Sequence, residues 1–155
     1  MTDSPSKTES LFEEAKAHHE AGRFDEAIAG YQAILAEDPK SYQAHNNLGT
    51  LFENLGKWVH AEACYRAGLD CSREALILYN LGHVLQRQDR FEEAVEVYME
   101  SLDMIPTTDA YFNLVHAQMS LNQNDEALVT VQKWVSVDKE HPQAQHLLAI
   151  LGGDP

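Results

Sequence analysis

The stretch YNLG, Tyr79–Gly82, has near-copies in NNLG, Asn46–Gly49, and in FNLV, Phe112–Val115. Its asparagine therefore stands at 47, 80 and 113, a constant 33 residues apart. Self-similarity at such a period marks a chain built from repeated supersecondary units, and the reading of every other segment follows from it.

Four lines of sequence align on either side of these copies. They are GRFDEAIAGYQAIL from Gly22, GKWVHAEACYRAGL from Gly56, DRFEEAVEVYMESL from Asp89 and NQNDEALVTVQKWV from Asn122. Their alanines, Ala27, Ala61, Ala94 and Ala127, lie 34, 33 and 33 residues apart, and Tyr31, Tyr65 and Tyr98 follow three of them by four positions. Apolar side chains at helical spacing make each line an amphipathic helix. The segment before each line also reads as a helix, with Leu48, Leu81 and Leu114 on it and with Gly49 and Gly82 permitting close approach of a neighbour. Asp89 with Glu92, and Asn122 with Asp125, pattern as N-caps of the second helices. Gly22 and Gly56 hold the equivalent turn, where glycine suits a left-handed backbone. Pro39 and Pro106 close the first and third units. The predicted element is a helix–turn–helix of about 34 residues.

This pattern resembles the tetratricopeptide repeat: Leu48, Gly49, Phe52, Ala61 and Tyr65 in one copy, and Leu81, Gly82, Ala94, Tyr98 and Pro106 in the next. The resemblance covers about residues 8 to 151 and implies an all-α fold, a right-handed superhelical solenoid of antiparallel helix-turn-helix repeats. The expected organisation is a disordered start at 1–7, one domain at 8–151 and a flexible tail or linker at 152–155. Within the domain the repeats fall at about 8–41, 42–74, 75–107 and 108–141, with a covering helix at about 142–151 that resembles the first helix of a fifth unit. Departures are specific. Glu14-Ala15 stands where Leu-Gly is usual, as a terminal repeat facing water tolerates. The second unit is one residue short near Cys71-Ser72-Arg73, which predicts an altered helix junction. The fourth has Val115 for glycine, Val131 for tyrosine and Trp134 at a usually small place. In the covering helix, Leu147, Leu148 and Leu151 match inward places and are expected to bury.

The chain has 155 residues, 44% of them hydrophobic, enough apolar content for a core. Its formal charge is −14, which repels phosphate backbones and acidic membranes and favours neutral to basic protein partners. The first residues lack the basic-then-apolar pattern of a secretory signal, and no apolar stretch approaches a membrane span. Cys64 and Cys71 form no C-x-x-C pair and read as reduced thiols, so a cytoplasmic protein is expected.

No phosphate loop, G-x-S-x-G elbow or spaced metal-ligand set is present, and no cofactor is expected. His83 and His116 recur at equivalent positions, but packed helices lie about 8–10 Å apart and zinc needs each nitrogen within about 2 Å. The paired acids Asp25-Glu26, Glu92-Glu93 and Asp125-Glu126 start helices, where they complement the dipole. A non-catalytic protein is expected.

The resemblance implies that first helices line a groove that holds an extended peptide. In this sequence the groove set is Asn47, Leu76, Tyr79, Asn80, His83, Arg87, Phe112, Asn113, His116 and Met119, with Leu76, Tyr79, Phe112 and Met119 forming one apolar patch. An asparagine amide offers a donor and an acceptor that match a peptide backbone, so one per repeat makes a ladder. The other reading of these amides is structural: each bonds the backbone of a neighbouring helix. The lysine-rich clamp by which some family members grip acidic chaperone tails is not matched. Its basic places hold Phe12 or Asn46, Leu76 or Asp109, and Asn80 or Asn113, and Lys16 and Arg87 alone do not rebuild it. The resulting expectation is a peptide-binding adaptor or scaffold. A regulatory or substrate-recruiting N-terminal part of a methyltransferase or glycosyltransferase is the alternative, and self-assembly a further one.

Overall fold

The computed structural model describes residues 6–153, and all regular structure among them is α-helical. The first two repeats contribute α1 (Lys7–Glu20), α2 (Phe24–Glu37), α3 (Tyr42–Asn54) and α4 (Trp58–Cys71). The next two contribute α5 (Ala75–Arg87), α6 (Phe91–Met104), α7 (Thr108–Ser120) and α8 (Asn124–Val137), followed by α9 (Pro142–Gly152). These are the helix pairs of the expected repeat solenoid. They form two compact units divided between Arg73 and Glu74. In the first unit each helix from α1 to α4 packs on the next, and in the second each from α5 to α9 does so. Residues 1–5 and 154–155, where a disordered start and a tail are expected, lie outside the described residues. Ser6 already caps α1: its side chain accepts from Glu9 N while Glu9 accepts from Ser6 N at 2.7 Å.

One turn joins the two helices of every repeat. Arg23 N donates to His18 O and Gly22 N to His19 O, and the same paired bonds recur at Lys57 and Gly56, Arg90 and Asp89, and Gln123 and Asn122. Each is a Schellman closure, which requires a left-handed residue just past the helix. Gly22 and Gly56 take it at φ 72° and 68°, Asp89 and Asn122 both at φ 58°. Asp89 and Asn122 are therefore not the N-caps that the sequence pattern predicts. The N-cap places belong to Arg90 and Gln123, neither of which makes a side-chain cap bond. The physical reason is that Asn and Asp are the non-glycine residues that best tolerate the left-handed region.

The expected altered junction after the second repeat is present, and it occurs twice. The linkers 72–74 and 105–107 are each one residue shorter than 38–41 and 138–141. The longer ones fold into a turn, with Ser41 N on Asp38 O and His141 N on Asp138 O.

The core of the second and third repeats is a glycine–tyrosine contact. Ala27, Ala61, Ala94 and Ala127 are fully buried, letting the helices of a repeat approach. Tyr65 then lies across Gly49 and Tyr98 across Gly82, so tightly that a Cβ on either glycine would stand 2.6 Å from a ring carbon. The outer repeats satisfy the same constraint differently. Ala15 is buried rather than facing water, because Gly30 on α2 leaves it room: a Cβ there would meet the Ala15 methyl at 2.8 Å. In the fourth repeat Val115 and Val131 are both fully buried, glycine and tyrosine having been exchanged together for two mid-sized residues.

Trp134 is completely buried, 6.2 Å from the Tyr111 ring and 4.7 Å from that of His141. It anchors the cluster onto which α9 packs. Of the three leucines expected to bury there, Leu147 is buried, whereas Leu148 and Leu151 are only partly covered.

Gly82→Ala should destabilise the fold although alanine is the better helix former. Overpacking costs about 1–3 kcal/mol against a propensity gain of about 1 kcal/mol. Adding Tyr98→Val, the fourth repeat's solution, should make the double variant less unstable than the sum of the two single changes. Denaturant titration of the cycle checks this.

Candidate functional site

The first-helix faces carry one cleft twice. In the first unit it lies between α1 and α3, with a volume of about 700 Å³, and is lined by Lys16, His19, Glu20, Gly22, Phe24, Tyr31, Asn47 and Asn54. In the second it lies between α5 and α7, with about 420 Å³, and is lined by His83, Gln86, Arg87, Asp89, Phe91, Asn113 and Ser120. Position for position the two linings correspond in the repeat register: Lys16 with His83, Glu20 with Arg87, Phe24 with Phe91, Asn47 with Asn113 and Asn54 with Ser120. The asparagine and the phenylalanine stay constant while the charged positions change. The Schellman turn builds one end of the cleft, which is why Gly22 and Asp89 border it.

Two of the three amides lie against tyrosine side chains. Asn113 Nδ2 donates to the Tyr79 hydroxyl at 3.2 Å, from α7 to α5. Burial pushes the Tyr31 phenol up, and the nearby Asn47 amide partly offsets this. Both amides thus face a tyrosine side chain, and both remain half-buried, as does Asn80 at the same place on α5. A single bond to a hydroxyl uses only part of an amide's capacity of two donors and an acceptor.

Other residues of the predicted set separate into smaller groups. Leu76, 61% exposed, and Tyr79 line a hollow of about 200 Å³ with Ile105, Thr107 and Asp109. The Phe112 ring lies 4.4 Å from that of His116, tilted by 59°, and packs with Met119 toward Trp134 and α9. Of the predicted apolar patch, Leu76 and Tyr79 thus border the hollow, while Phe112 and Met119 pack on the cluster around Trp134. His83, Arg87 and Asn113 do come together in the α5–α7 cleft, with His116 exposed outside it.

The sequence reading missed the role of the second-helix tyrosines. The Tyr65 hydroxyl donates to Glu53 at 2.7 Å and lies 3.2 Å from Thr50 Oγ1, and Tyr98 donates to Gln86 at 3.1 Å. Burial, before these polar contacts, holds the Tyr65 phenol far above its usual range. The signal was available: positions 53, 86 and 119 hold Glu, Gln and Met, and their partners at 65, 98 and 131 are Tyr, Tyr and Val. Where the hydroxyl is lost, its polar partner is lost as well.

Among the described residues no three His, Cys, Asp or Glu side chains gather as metal ligands, and no helix is long and apolar enough to cross a membrane.

Family models of the tetratricopeptide repeat match residues 12–75, 75–108 and 108–141. The chain belongs to the tetratricopeptide-repeat family. This repeat protein is 34% identical over 106 residues to the human protein O-mannosyl-transferase TMTC2, an alignment covering 66% of this chain and 13% of the relative. It thus spans a small fraction of that relative's length. Among solved structures it superimposes on MamA protein with TM-score 0.83 at 20% identity, covering 93% of this chain and 80% of the other. On YrrB, described as a repeat protein with an unusual peptide-binding site, the TM-score is 0.79 at 18% identity, covering 91% and 74%. Both likenesses are of fold.

Cys64 and Cys71, both free thiols, should differ in reactivity. Burial pushes the half-buried Cys64 thiol up to about 11, leaving roughly one molecule in a thousand as thiolate at pH 8, whereas Cys71 is exposed. Ellman's reagent on the native protein at pH 8 should label Cys71 promptly and Cys64 only after unfolding. Equal rates would contradict the burial of Cys64.

Proposed function

We propose that this repeat protein is a non-catalytic interaction module, an adaptor or scaffold that holds an extended peptide or partner segment on its first-helix faces. The observation that carries this reading is the duplicated cleft, in which Asn47 and Asn113 are constant while Lys16 and Glu20 give way to His83 and Arg87. A constant amide suits what every peptide shares, its backbone N–H and C=O, and the variable neighbours suit side chains. Asn80, at the same register position on α5, completes the proposed ladder. Leu76 and Tyr79 offer one apolar anchor, Phe112, His116 and Met119 another. The peptide-binding site for which YrrB is described adds support from the same fold. With a formal charge of −14, the expected partner is a neutral to basic protein rather than nucleic acid or an acidic membrane. The two free thiols fit a cytoplasmic setting. No metal or cofactor enters this reading.

A second reading is favoured by the identity to TMTC2, a protein named as a transferase. In it the repeats recruit or regulate substrate for a larger enzyme, and a catalytic domain in the same reading frame would support it.

The ladder is tested by replacing Asn47, Asn80 and Asn113 with alanine, singly and together, against a peptide selected on the intact chain from an extended-peptide display library. A net hydrogen bond is worth about 0.5–1.5 kcal/mol, so each change should weaken binding roughly two- to tenfold, and all three on the order of tenfold to a thousandfold. Melting temperature should fall only modestly, by the loss of the tyrosine contacts. A large stability loss with unchanged affinity would assign the amides to structure alone.

The charge reading has its own check. Association of a basic peptide should slow as salt rises to 0.1 M and beyond, where exposed charges more than about 10 Å apart are screened. An on-rate that ignores salt would reduce the acidic surface to a solubility feature.

A further inference from the structure

A second groove, of about 500 Å³, lies in the C-terminal unit away from the first-helix clefts. Here α6 and α8 both pack on α7, and α7 supplies the floor through Tyr111 and Leu114. Val95 and Met99 form the α6 wall and Val129 the α8 wall. Met99 and Val129 are 50% and 51% exposed, although each sits mid-helix and facing an apolar floor. The second repeat is polar at these places. Glu62 and Arg66 on α4 correspond to Val95 and Met99 on α6, and they form an ion pair at 2.9 Å. Apolar residues replacing an ion pair on a water-facing helix wall carry a desolvation benefit only when something covers them.

The polar groups of the groove indicate the form of the occupant. The Thr130 hydroxyl is engaged inside the unit, 2.8 Å from Gln118 Oε1 and 3.0 Å from the Glu126 carbonyl, and all three walls are helices whose backbone bonds are internal. An extended chain laid here would find few partners for its own N–H and C=O groups, and a helix satisfies them itself. The α6 wall runs from Val95 to Leu102, about 10 Å at 1.5 Å per residue, the length of about two helical turns. The rim indicates the charge: Asp103, Asp125 and Glu126 stand against Lys133 alone.

We propose that this α6–α8 groove is a docking site for an amphipathic helix of a partner protein. That helix presents apolar residues at i, i+3 or i+4, and i+7, with lysine or arginine beside them. The site is independent of the ladder on the first helices, so one molecule can hold an extended segment on one face and a helical segment on the other.

The test uses display of helical peptides of about 14 residues with that apolar spacing, in two sets whose remaining positions are Lys/Arg-rich or Glu-rich. The intact chain should retain the basic set and not the acidic one. Binding of a retained basic peptide should fall by about tenfold or more in Met99→Lys/Val129→Lys and by a smaller, salt-dependent factor in Asp103→Asn/Asp125→Asn. It should stay unchanged in Asn113→Ala, which separates this site from the ladder. Amide chemical-shift mapping on the unmodified protein gives a readout that needs no variant, with changes expected along Val95–Leu102 and around Val129. Equal retention of both sets, retention of neither, or shifts confined to α5 and α9 would overturn the proposal. So would a dimer of the chain that Met99→Lys/Val129→Lys dissolves, since the groove would then belong to a second copy.

Discussion

The contact on which the remaining structure depends is the tyrosine ring of a second helix pressed against the glycine of the first. It fixes how closely the two helices of a repeat approach, because with 2.6 Å between a hypothetical Cβ and the ring there is no slack in that pair. The fully buried alanine four residues before each tyrosine extends the same close approach by one turn. Once that distance is set, the tyrosine hydroxyl emerges at a fixed height on the first-helix face, where Glu53 or Gln86 meets it. A packing requirement in the core thus becomes a positioning device for polar groups at the surface. The outer repeats show that the constraint concerns volume rather than residue type: Ala15 with Gly30, and Val115 with Val131, fill the same space with other partners.

Much of this was legible in the sequence, because a repeat period multiplies weak local signals. A single Leu-Gly pair or a single buried alanine says little. Ala27, Ala61, Ala94 and Ala127 in register locate four helix pairs, and the helices are where the alignment puts them. The reading failed where a residue type serves two local roles. Asp89 and Asn122 are good N-caps in general and also the best substitutes for glycine in a left-handed turn, and sequence alone does not say which side of the helix start they occupy. The register decides it afterwards, since they align with Gly22 and Gly56.

The site was legible in part, and the missing part has a physical origin. Period analysis shows which residues recur, so it found the asparagines. It does not show what a side chain touches across a helix pair, so Tyr31 and Tyr79 were not seen as their partners. The surroundings of the apolar residues were hidden for a related reason. The resemblance places Phe112 and Met119 on the groove face but says nothing of Trp134, which stands where the other repeats have Ile34, Gly68 and Ser101 and against whose cluster both residues pack. The α6–α8 groove escaped altogether. Val95 and Met99 fall on a helical face that the repeat pattern leaves unconstrained, and only the ion pair at Glu62 and Arg66 shows how differently that face can be finished.

The fourth repeat ties these features together. By replacing tyrosine with Val131 and its polar partner with Met119, it ends the alternation of hydroxyl and amide that the earlier repeats maintain. From α7 toward α9 the first-helix face becomes apolar, built from Phe112, Met119 and the partly covered Leu148 and Leu151. A polar stretch at Asn113 and Arg87 is therefore followed, within the same unit, by a greasy one. An extended ligand crossing both would be held by its backbone at one end and by an apolar side chain at the other. That division of labour follows from a single exchange in the core, Gly-with-Tyr for Val-with-Val. One exchange in the core of the fourth repeat thus gives the first-helix face of this unit a direction.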